Sequence, residues 1–278
     1  MTMLYDMALC GPNRVTAGTL SGGGWSTVLP LSNAESPELA AVARSLDATT
    51  TNTKLLYTAP ATRLVQAIYL IGTTLSDDAQ IRVSIGTTAW ATDIYAGSWV
   101  DAWHRTSIDA ALAAYGIEPV AIERARYPVG VFLPARTSAP FIGIEIDDTT
   151  NAAGTVDVAH VFVAGAFVSS WGPQEGIGLT MADLSGVSGA DSGAVSTYRR
   201  RKQRSQAMSL IVPPEESAVL DEWRHQLGTT ETLMYVASRS DPERAQLASY
   251  LCRCEEIGAI EYPYRVAHTM ALRVTEWL

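Results

Sequence analysis

Side chains that commonly perform catalysis are few and scattered along this chain. The four histidines, His104, His160, His225 and His268, lie far apart in the sequence. Neither the G-x-S-x-G motif of a serine nucleophile nor the H-E-x-x-H motif of a zinc hydrolase is present. His160 and His268 fall within apolar stretches that look like strands, where a hydrogen-bonded core histidine is the usual interpretation. We therefore predict that the protein is not an enzyme.

Carboxylates leave one catalytic alternative open, because the spacing of residues in a sequence does not define the acid pair of a glycoside hydrolase. Glu145 and Asp147 alternate with apolar residues, which favours the exposed face of a strand over a cleft. Asp147, Asp148 and Asn151 offer oxygen ligands for calcium, but this stretch lacks the glycine and the distal glutamate of a calcium-binding loop. No metal site is predicted there.

The cysteines and the glycine-rich stretch are also predicted to have structural roles and not to bind a metal or a cofactor. Cys10, Cys252 and Cys254 are too few for a disulfide framework or a complete zinc ligand set, and they are consistent with synthesis in a reducing compartment. The run Gly22–Gly24 is followed by Trp25, whereas a phosphate-binding P-loop requires lysine and then serine or threonine. We interpret the run as a turn that lets Trp25 pack, and we expect no cofactor.

One polar stretch, TTAWATDIYAGSWVDAWHR, is unusually rich in aromatic residues: Trp90, Tyr95, Trp99 and Trp103. Exposed aromatic rings with Asp and Arg nearby could stack on sugar rings. Alternatively, these rings pack over the end of a sandwich or into a contact with another subunit, where Trp and Tyr are also enriched. The stretch is therefore a candidate contact for a glycan or for a protein partner.

Basic residues concentrate in a second candidate surface that consists of Arg199, Arg200, Arg201, Lys202 and Arg204. The whole chain has 29 acidic and 20 basic residues and a formal net charge of −9. This balance argues against nucleic acid as the main ligand, because phosphate binding needs a positive field. The basic run is interpreted as a solvated strand or loop, or as an assembly interface that faces an acidic partner surface.

The clearest predicted element is an amphipathic helix that starts at Pro213 and Pro214 and ends before Gly228. Its predicted buried face follows a helical spacing and comprises Val219, Leu220, Trp223 and Leu227. The chain ends in a predicted strand in which Val266, His268, Met270, Leu272 and Val274 point to one face. Together they predict a sheet that is packed on one face by one helix, within an assembly domain at residues 196–278.

The N-terminal part is predicted to be an antiparallel β-sandwich over residues 1–172, because short strands are punctuated by Gly, Pro and Asp. Predicted strands include 53–60, 61–72, Val129–Leu133, Phe141–Ile146 and Thr155–Ser169, with a short helix at Ser107–Tyr115. The stretch Arg63–Ile71 carries apolar side chains on both alternating faces and is expected to form a central strand. Residues 173–195, rich in Gly and Ser, predict a linker or loop. The predicted fold class is mainly β, with a jelly-roll or carbohydrate-binding-like sandwich and an α+β C-terminal domain.

No targeting or membrane segment is expected from the sequence. The N-terminal stretch MTMLYDMALCGPNR lacks the basic region of a signal peptide. The most apolar run, from Val158 to Trp171, is too short to cross a bilayer.

Two stretches resemble parts of known virion proteins. LSGGGWSTVLPLSN followed by VARSLDATTTNTKL resembles the opening of minor tail proteins of long, non-contractile-tailed (siphovirus-type) bacteriophages. The C-terminal order of a basic strand, a P-E-E-x-x-x-L-x-x-W helix, G-T-x-E-T-L, S-D-P and a final strand ending in V-T-E resembles the sheet-plus-helix domain of distal tail and baseplate ring proteins. The middle of the chain, about residues 73–170, shares only a β-rich character with these proteins.

The resemblance implies a structural virion protein of the tail tip or baseplate, made in the host cytoplasm. Such a protein would self-associate into a ring or collar and dock onto tail-tube, tail-tip, baseplate or fibre proteins. The alternative function is that of a carbohydrate-binding module for attachment to the host surface, and a glycan hydrolase is a third possibility. Fold-level analogy alone does not establish sugar binding.

Overall fold

The computed structural model describes residues 6–104, 106–116, 127–173, 177–189, 195–198 and 200–277. Its helices are α1 (Thr106–Ala114), α2 (Pro214–Leu227) and α3 (Pro242–Ala248), with 3-10 turns at Val15–Ala17 and Leu31–Glu35. Its strands are β1 (Ala8–Cys10), β2 (Thr19–Ser21), β3 (Ala43–Arg44), β4 (Leu55–Thr73), β5 (Gln80–Gly86), β6 (Tyr95–Ala96), β7 (Val100–Asp101), β8 (Val129–Asp147), β9 (Asp157–Ala164), β10 (Ala166–Phe167), β11 (Gly178–Asp183), β12 (Gly186–Gly189), β13 (Val195–Tyr198), β14 (Lys202–Val212), β15 (Thr232–Val236), β16 (Tyr250–Tyr264) and β17 (Ala267–Glu276).

The fold is mainly β and antiparallel, as predicted. The chain divides into two compact units. We call Met7–Ala166 together with Met234–Tyr250 the sandwich unit, and Met1–Asp6, Phe167–Leu233 and Leu251–Leu278 the sheet–helix unit. Residues 173–195, for which the sequence predicts a linker or loop, contain strands β11 and β12.

Strand β4 is the centre of the sandwich unit, since it pairs with β8 on one side and with β9 on the other. Residues 65–71 of β4 are all buried, which confirms the predicted central strand. The sequence pattern predicts two strands in place of β4 and two in place of β8, but each is one strand of 19 residues. Their pairing register breaks after Thr58 and after Val65, and residues 60–64 between these breaks are exposed. The long pair therefore continues through an exposed irregularity that looks like a strand end in the sequence.

Ile81, Val83 and Ile85 of β5 alternate with Arg82 and Ser84, a sequence pattern that predicts a half-exposed strand, but Ser84 is also buried. Ile81, Val83 and Ile85 are each about 1% exposed and join the core of the sandwich unit. Gln80, Arg82 and Ser84 lie on the opposite face, because side chains alternate along a strand. Across the pairing with β8, Arg82 lies opposite Glu145 and Ser84 lies opposite Gly143.

His160 is a core residue, as predicted, and is fully buried. Asn13 Nδ2 lies 2.8 Å from His160 Nε2 and also donates to the Val161 carbonyl. The Asn13 side-chain oxygen accepts from the amides of Val15 and Val163, so this one side chain ties residues 13–15 to β9. Burial lowers the pKa of His160 to about 4, because the charged imidazolium loses its hydration.

This burial predicts a pH-dependent stability. In the unfolded chain His160 takes up a proton near its ordinary pKa of about 6.5, whereas the folded protein resists protonation down to about pH 4. The contribution of the neutral His160 to the free energy of unfolding is therefore fully present above pH 6.5. It is lost as the pH falls from 6.5 to about 4, by about 3 kcal/mol in total. Chemical denaturation between pH 4 and 7 would measure it. His160→Gln should lose this part of the pH slope, and an unchanged slope would contradict the assignment.

In the sheet–helix unit, β11, β14, β17 and β16 are neighbours in that order. Met270, Leu272 and Val274 of β17 are buried, as the predicted alternation requires, whereas His268, predicted as a core histidine on the same face, is only half-buried and packs edge-on against Tyr262. Val266 was expected on the same face, but it lies in the turn before β17 and is 66% exposed. The pleat that orients alternate residues begins only at Ala267.

Helix α2 covers this sheet with Leu220, Trp223 and Leu227, which are all buried. The ring of Trp223 stacks on Phe167 with centroids 5.6 Å apart. Val219 was predicted in the same face but is 58% exposed. It lies about 100° around the helix from Leu220, which places it at the margin of the buried stripe. The helix ends at Gly228, which has a φ of 54°, as the sequence predicted.

Helix α3 was not predicted from the sequence. Asp241 caps it by accepting a hydrogen bond from the Arg244 amide, and Pro242 occupies its first turn. The Ser-Asp-Pro sequence at residues 240–242 is typical of a helix N-terminus.

We expect Trp223→Ala to destabilise the sheet–helix unit by about 3–5 kcal/mol, because it removes a buried indole and leaves a cavity. Val219→Ala is the matched control on the same helix and should change the free energy of unfolding by about 0.5 kcal/mol or less. Denaturant unfolding of both variants would measure the difference. Equal effects would contradict the orientation of α2.

Candidate functional site

The main candidate site is a two-stranded antiparallel ribbon in the sheet–helix unit. Strand β11 pairs with β14 from Gly178–Ala207 to Asp183–Lys202, over about 20 Å. The next strands along the chain, β12 and β13, continue in nearly the same register, with Gly186 opposite Tyr198. We call residues 178–189 and 195–207 the ribbon.

Strand β11 forms the outer edge of the described sheet. All six of its residues are exposed. Leu179 and Met181 are 61% and 58% exposed and share one face, because they are two residues apart. Their cross-strand partners on β14, Gln206 and Arg204, are buried on that same face. The buried face of the sheet therefore ends in two exposed apolar side chains.

The predicted basic cluster lies along this ribbon, but its members differ in environment. Arg200, Arg201 and Lys202 are exposed, and the guanidinium of Arg200 lies 5.2 Å from the centre of the Tyr198 ring. Arg204 is instead buried, because β14 turns it toward the covered face of the sheet. Arg199 lies outside the described residues.

The Arg204 side chain forms a buried ion pair with Glu276 of β17. Arg204 Nη2 lies 2.7 Å from Glu276 Oε1, and the Arg204 amide donates to Oε2 over 2.9 Å. Gln203 Nε2 also donates to the Glu276 carbonyl. These bonds add to the backbone ladder between β14 and β17 at the base of the ribbon. Arg204 therefore stabilises the base of the ribbon, and the exposed positive charge lies on Arg200, Arg201 and Lys202.

Glu276→Leu should destabilise the sheet–helix unit by about 3–5 kcal/mol, because it leaves the Arg204 cation buried without its partner. The double variant Arg204→Met with Glu276→Leu should recover most of this loss, since both desolvated charges are removed together. Denaturation of the Arg204→Met variant, the Glu276→Leu variant and the double variant gives the coupling energy. Strictly additive losses would contradict a direct pair.

The four aromatic residues predicted as a contact site divide between two faces of the sandwich unit. Tyr95 lies opposite Ile85 and packs against the core. Trp103 also packs against the core, and its indole N–H donates to the Ser76 carbonyl over 2.7 Å. Trp90 and Trp99 associate with residues of the other face. The sequence could not separate the two pairs, because short connections set the direction of each ring.

Trp99 lies beside an ion pair on the outer face of β5 and β8. The Arg82 guanidinium is 4.7 Å from the centre of the Trp99 ring, and Arg82 Nε donates to Glu145 Oε2 over 2.8 Å. Glu145 is thus on the outer strand face, as predicted. Gln80 on the same face donates to Asp101.

Trp90 occupies a neighbouring position on this face. Its ring lies against Gly143, where a Cβ atom would be 3.0 Å from the indole Cε3. The Lys54 ammonium is 5.1 Å from the centre of the ring. Trp90 itself has a φ of 63°, an uncommon backbone conformation for a bulky residue.

The other chemical candidates from the sequence have structural roles. Asp148 is buried and accepts hydrogen bonds from the Ser76 amide and hydroxyl and from Asn151 Nδ2. Among the described residues, no group of three His, Cys, Asp or Glu side chains could hold a metal ion. Burial raises the pKa of the Cys254 thiol to about 12. The Gly22–Gly24 run forms a turn in which Trp25 Nε1 donates to the Lys54 carbonyl.

The sandwich unit also contains a cavity of about 210 Å³ that the sequence did not indicate. Tyr69, His104, Phe132, Arg239 and Gln246 are among the residues that line it. Gln246 holds α3 in place, because its side chain accepts from the His104 amide and donates to the Ala102 carbonyl. Four separate segments build the walls, so no local motif reveals the cavity.

The sequence matches no protein-family model and none of the curated proteins. Part of the chain is similar in structure to a family 89 glycoside hydrolase from Clostridium perfringens solved in complex with 2-acetamido-1,2-dideoxynojirmycin, with 10% identity and a TM-score of 0.39. That match covers 56% of this chain and only 15% of the hydrolase chain. CpGH89CBM32-4 from the same organism, in complex with GlcNAc-α-1,4-galactose, matches at 13% identity and a TM-score of 0.31, over 54% of this chain and 93% of its own. None of the described helices has the length and apolar character needed to cross a membrane.

Proposed function

We propose that this protein is a structural subunit that self-associates through the ribbon into a ring or collar. Its proposed setting is the tail tip or baseplate of a siphovirus-type bacteriophage, where it docks onto tail-tube, tip or fibre proteins. The exposed edge strand β11, with Leu179 and Met181 on its surface, is the observation that carries the assembly role.

An exposed strand edge offers a row of backbone donors and acceptors to another chain. Proteins that stay monomeric usually protect such an edge with prolines, bulges or inward-pointing charges. Strand β11, with the sequence GLTMAD, has no proline and places its one charge, Asp183, at the end. The apolar residues Leu179 and Met181 gain about 25 cal/mol for every Å² that a partner covers. Pairing of this edge with another chain would supply partners for the backbone donors and acceptors of β11 and would also cover Leu179 and Met181.

A second copy of this chain is the partner that the charges favour. The sequence from 178 to 207 contains five basic and two acidic residues, so it is formally +3 and the remainder of the chain is −12. Within the same sheet, two strands away from the ribbon, β16 presents the exposed residues Glu255, Glu256 and Glu261, with the exposed Arg273 of β17 opposite Glu256. Contact between the basic ribbon of one copy and the acidic remainder of the next is heterologous, and repetition of it generates a ring when the rotation closes.

The viral setting rests on the resemblance of the N-terminal and C-terminal stretches to phage tail proteins. The hydrolase alternative requires two carboxyl groups that face each other across a groove, whereas Glu145 is engaged with Arg82 on a strand face. Carbohydrate binding involves a different set of residues, in the sandwich unit, and is compatible with a role in the tail tip.

The purified chain should form oligomers whose mass by light scattering rises with protein concentration. Leu179→Asp combined with Met181→Asp should weaken this association at least tenfold, because it places charge on the apolar edge. Val219→Asp is the matched control, since Val219 is 58% exposed on α2 of the same unit. A chain that stays monomeric at high concentration, or a control that dissociates equally, would overturn the proposal.

The ionic part of the interface should weaken with salt, because screening shortens the range of surface charges. Charge reversal of Arg200, Arg201 and Lys202 to Glu should reduce both the association and its salt dependence. Electron microscopy with tail-tube protein tests the setting separately. Rings at tube ends would support it, and rings that ignore the tube would restrict the proposal to self-assembly.

A further inference from the structure

We propose that the outer face of β5 and β8 in the sandwich unit binds a short, neutral oligosaccharide. Trp90 and Trp99 are the stacking surfaces, and Glu145, Arg82 and Asp101 supply the polar contacts. This site goes beyond the assembly role and uses residues that are separate from the ribbon, so the two proposals can fail independently.

The two indole rings lie over adjacent positions of one sheet face. Trp90 packs where Gly143 pairs with Ser84, and Trp99 packs beside Arg82, which pairs with Glu145. These positions are two residues apart along β5, which is about 7 Å. One short oligosaccharide could therefore contact both rings.

Trp90 shows that this face is built around its aromatic ring. Gly143 leaves the space that the indole and the Ser84 hydroxyl occupy, since a Cβ atom there would lie 2.6 Å from Ser84 Oγ and 3.0 Å from the indole Cε3. The positive φ of Trp90 is unfavourable for a bulky residue and persists only where its surroundings hold it, a condition that is frequent at binding sites. Both observations concern a residue that is only partly buried, so packing in the core does not explain them.

The polar groups beside Trp99 retain capacity for hydroxyl groups. Both nitrogens of Arg82 that contact Glu145 approach the same oxygen, Oε2, at 2.6 and 2.8 Å. Among the described residues none donates a hydrogen bond to Glu145 Oε1, so this oxygen can accept one from a sugar. Asp101 likewise receives Gln80 Nε2 on Oδ1. A carboxylate accepts at both oxygens, so Glu145 and Asp101 each keep one oxygen that can accept a hydrogen bond from a sugar hydroxyl.

The charges on this face favour a neutral sugar. Arg82 is paired with Glu145, and the Lys54 ammonium faces the Trp90 ring. Glu145, Asp101 and Asp147 outnumber these two cations, so an anionic sugar would meet net repulsion. Aromatic stacking combined with hydroxyl recognition by carboxylates remains favourable for an uncharged ring.

An array of neutral and sialylated or uronic oligosaccharides tests the proposal, with calorimetry for the best neutral ligand. We expect a neutral oligosaccharide to bind with a Kd tighter than about 1 mM. Trp99→Ala and Trp90→Ala should each weaken it at least tenfold, while Trp99→Phe should retain most of the binding. Trp171→Ala is the control, because Trp171 is a 41% exposed tryptophan in the other unit.

Three results would overturn the site: no neutral ligand in this range, preference for the anionic sugars, or equal affinity of the Trp99→Ala variant and the wild type. Thermal unfolding of each variant would establish that it is folded. The titration is repeated on the Leu179→Asp, Met181→Asp chain. Binding that persists there separates the sugar site from self-assembly, and loss there alone would place the ligand at the assembly interface and overturn the proposed location.

Discussion

The requirement that every backbone donor and acceptor be paired or hydrated governs the sheet–helix unit. Strands β14 and β17 satisfy it internally, because each has a neighbour on both sides. Strand β11 satisfies it on one side only within the described chain. Water can hydrate such an edge, but it cannot compensate for apolar side chains that the same strand leaves exposed. The sequence GLTMAD therefore makes β11 more favourable inside an assembly than at a free surface.

The buried ion pair explains how the exposed ribbon can retain one register. A strand with few apolar contacts can slip along its neighbour, and a slip of one residue exchanges its two faces. Such a slip of β14 would turn Arg204 to the other face and leave the Glu276 carboxylate buried without its partner, at a cost of several kcal/mol. The pair thus adds specificity more than net stability. It also accounts for the division of the basic run, in which Arg204 is buried and Arg200, Arg201 and Lys202 are exposed.

Local patterns predicted much of the fold. The amphipathic spacing identified α2, and period-two alternation identified β5 and the buried half of β17, because these signals depend on neighbouring residues. The single long strands β4 and β8 could not be recognised, since an exposed irregularity within a strand resembles a turn in sequence. The exposure of Val219 follows from the angular width of the helix face that the sheet covers, which is a tertiary property. The aromatic stretch was identified as a group, but only the pairing of Tyr95 with Ile85 and the bond from Trp103 to Ser76 show which rings turn inward.

Strand alternation and the extent to which each sheet face is covered together produce the two candidate surfaces. On β5 it places Ile81, Val83 and Ile85 in the core and leaves Arg82 outside, where Trp99 can lie against it. On β14, Arg204 and Lys202 share one face, but Arg204 lies where that face is covered, whereas Lys202 at the end of the strand is exposed. A cation in the first setting is neutralised by Glu145 and supports an aromatic ring, which suits an uncharged ligand. The cations in the second setting are concentrated on an otherwise acidic chain, which suits a charged surface. The two surfaces therefore differ in the partner they favour, because Arg82 faces one carboxylate and one ring, whereas residues 178–207 combine five basic residues with only two acidic ones.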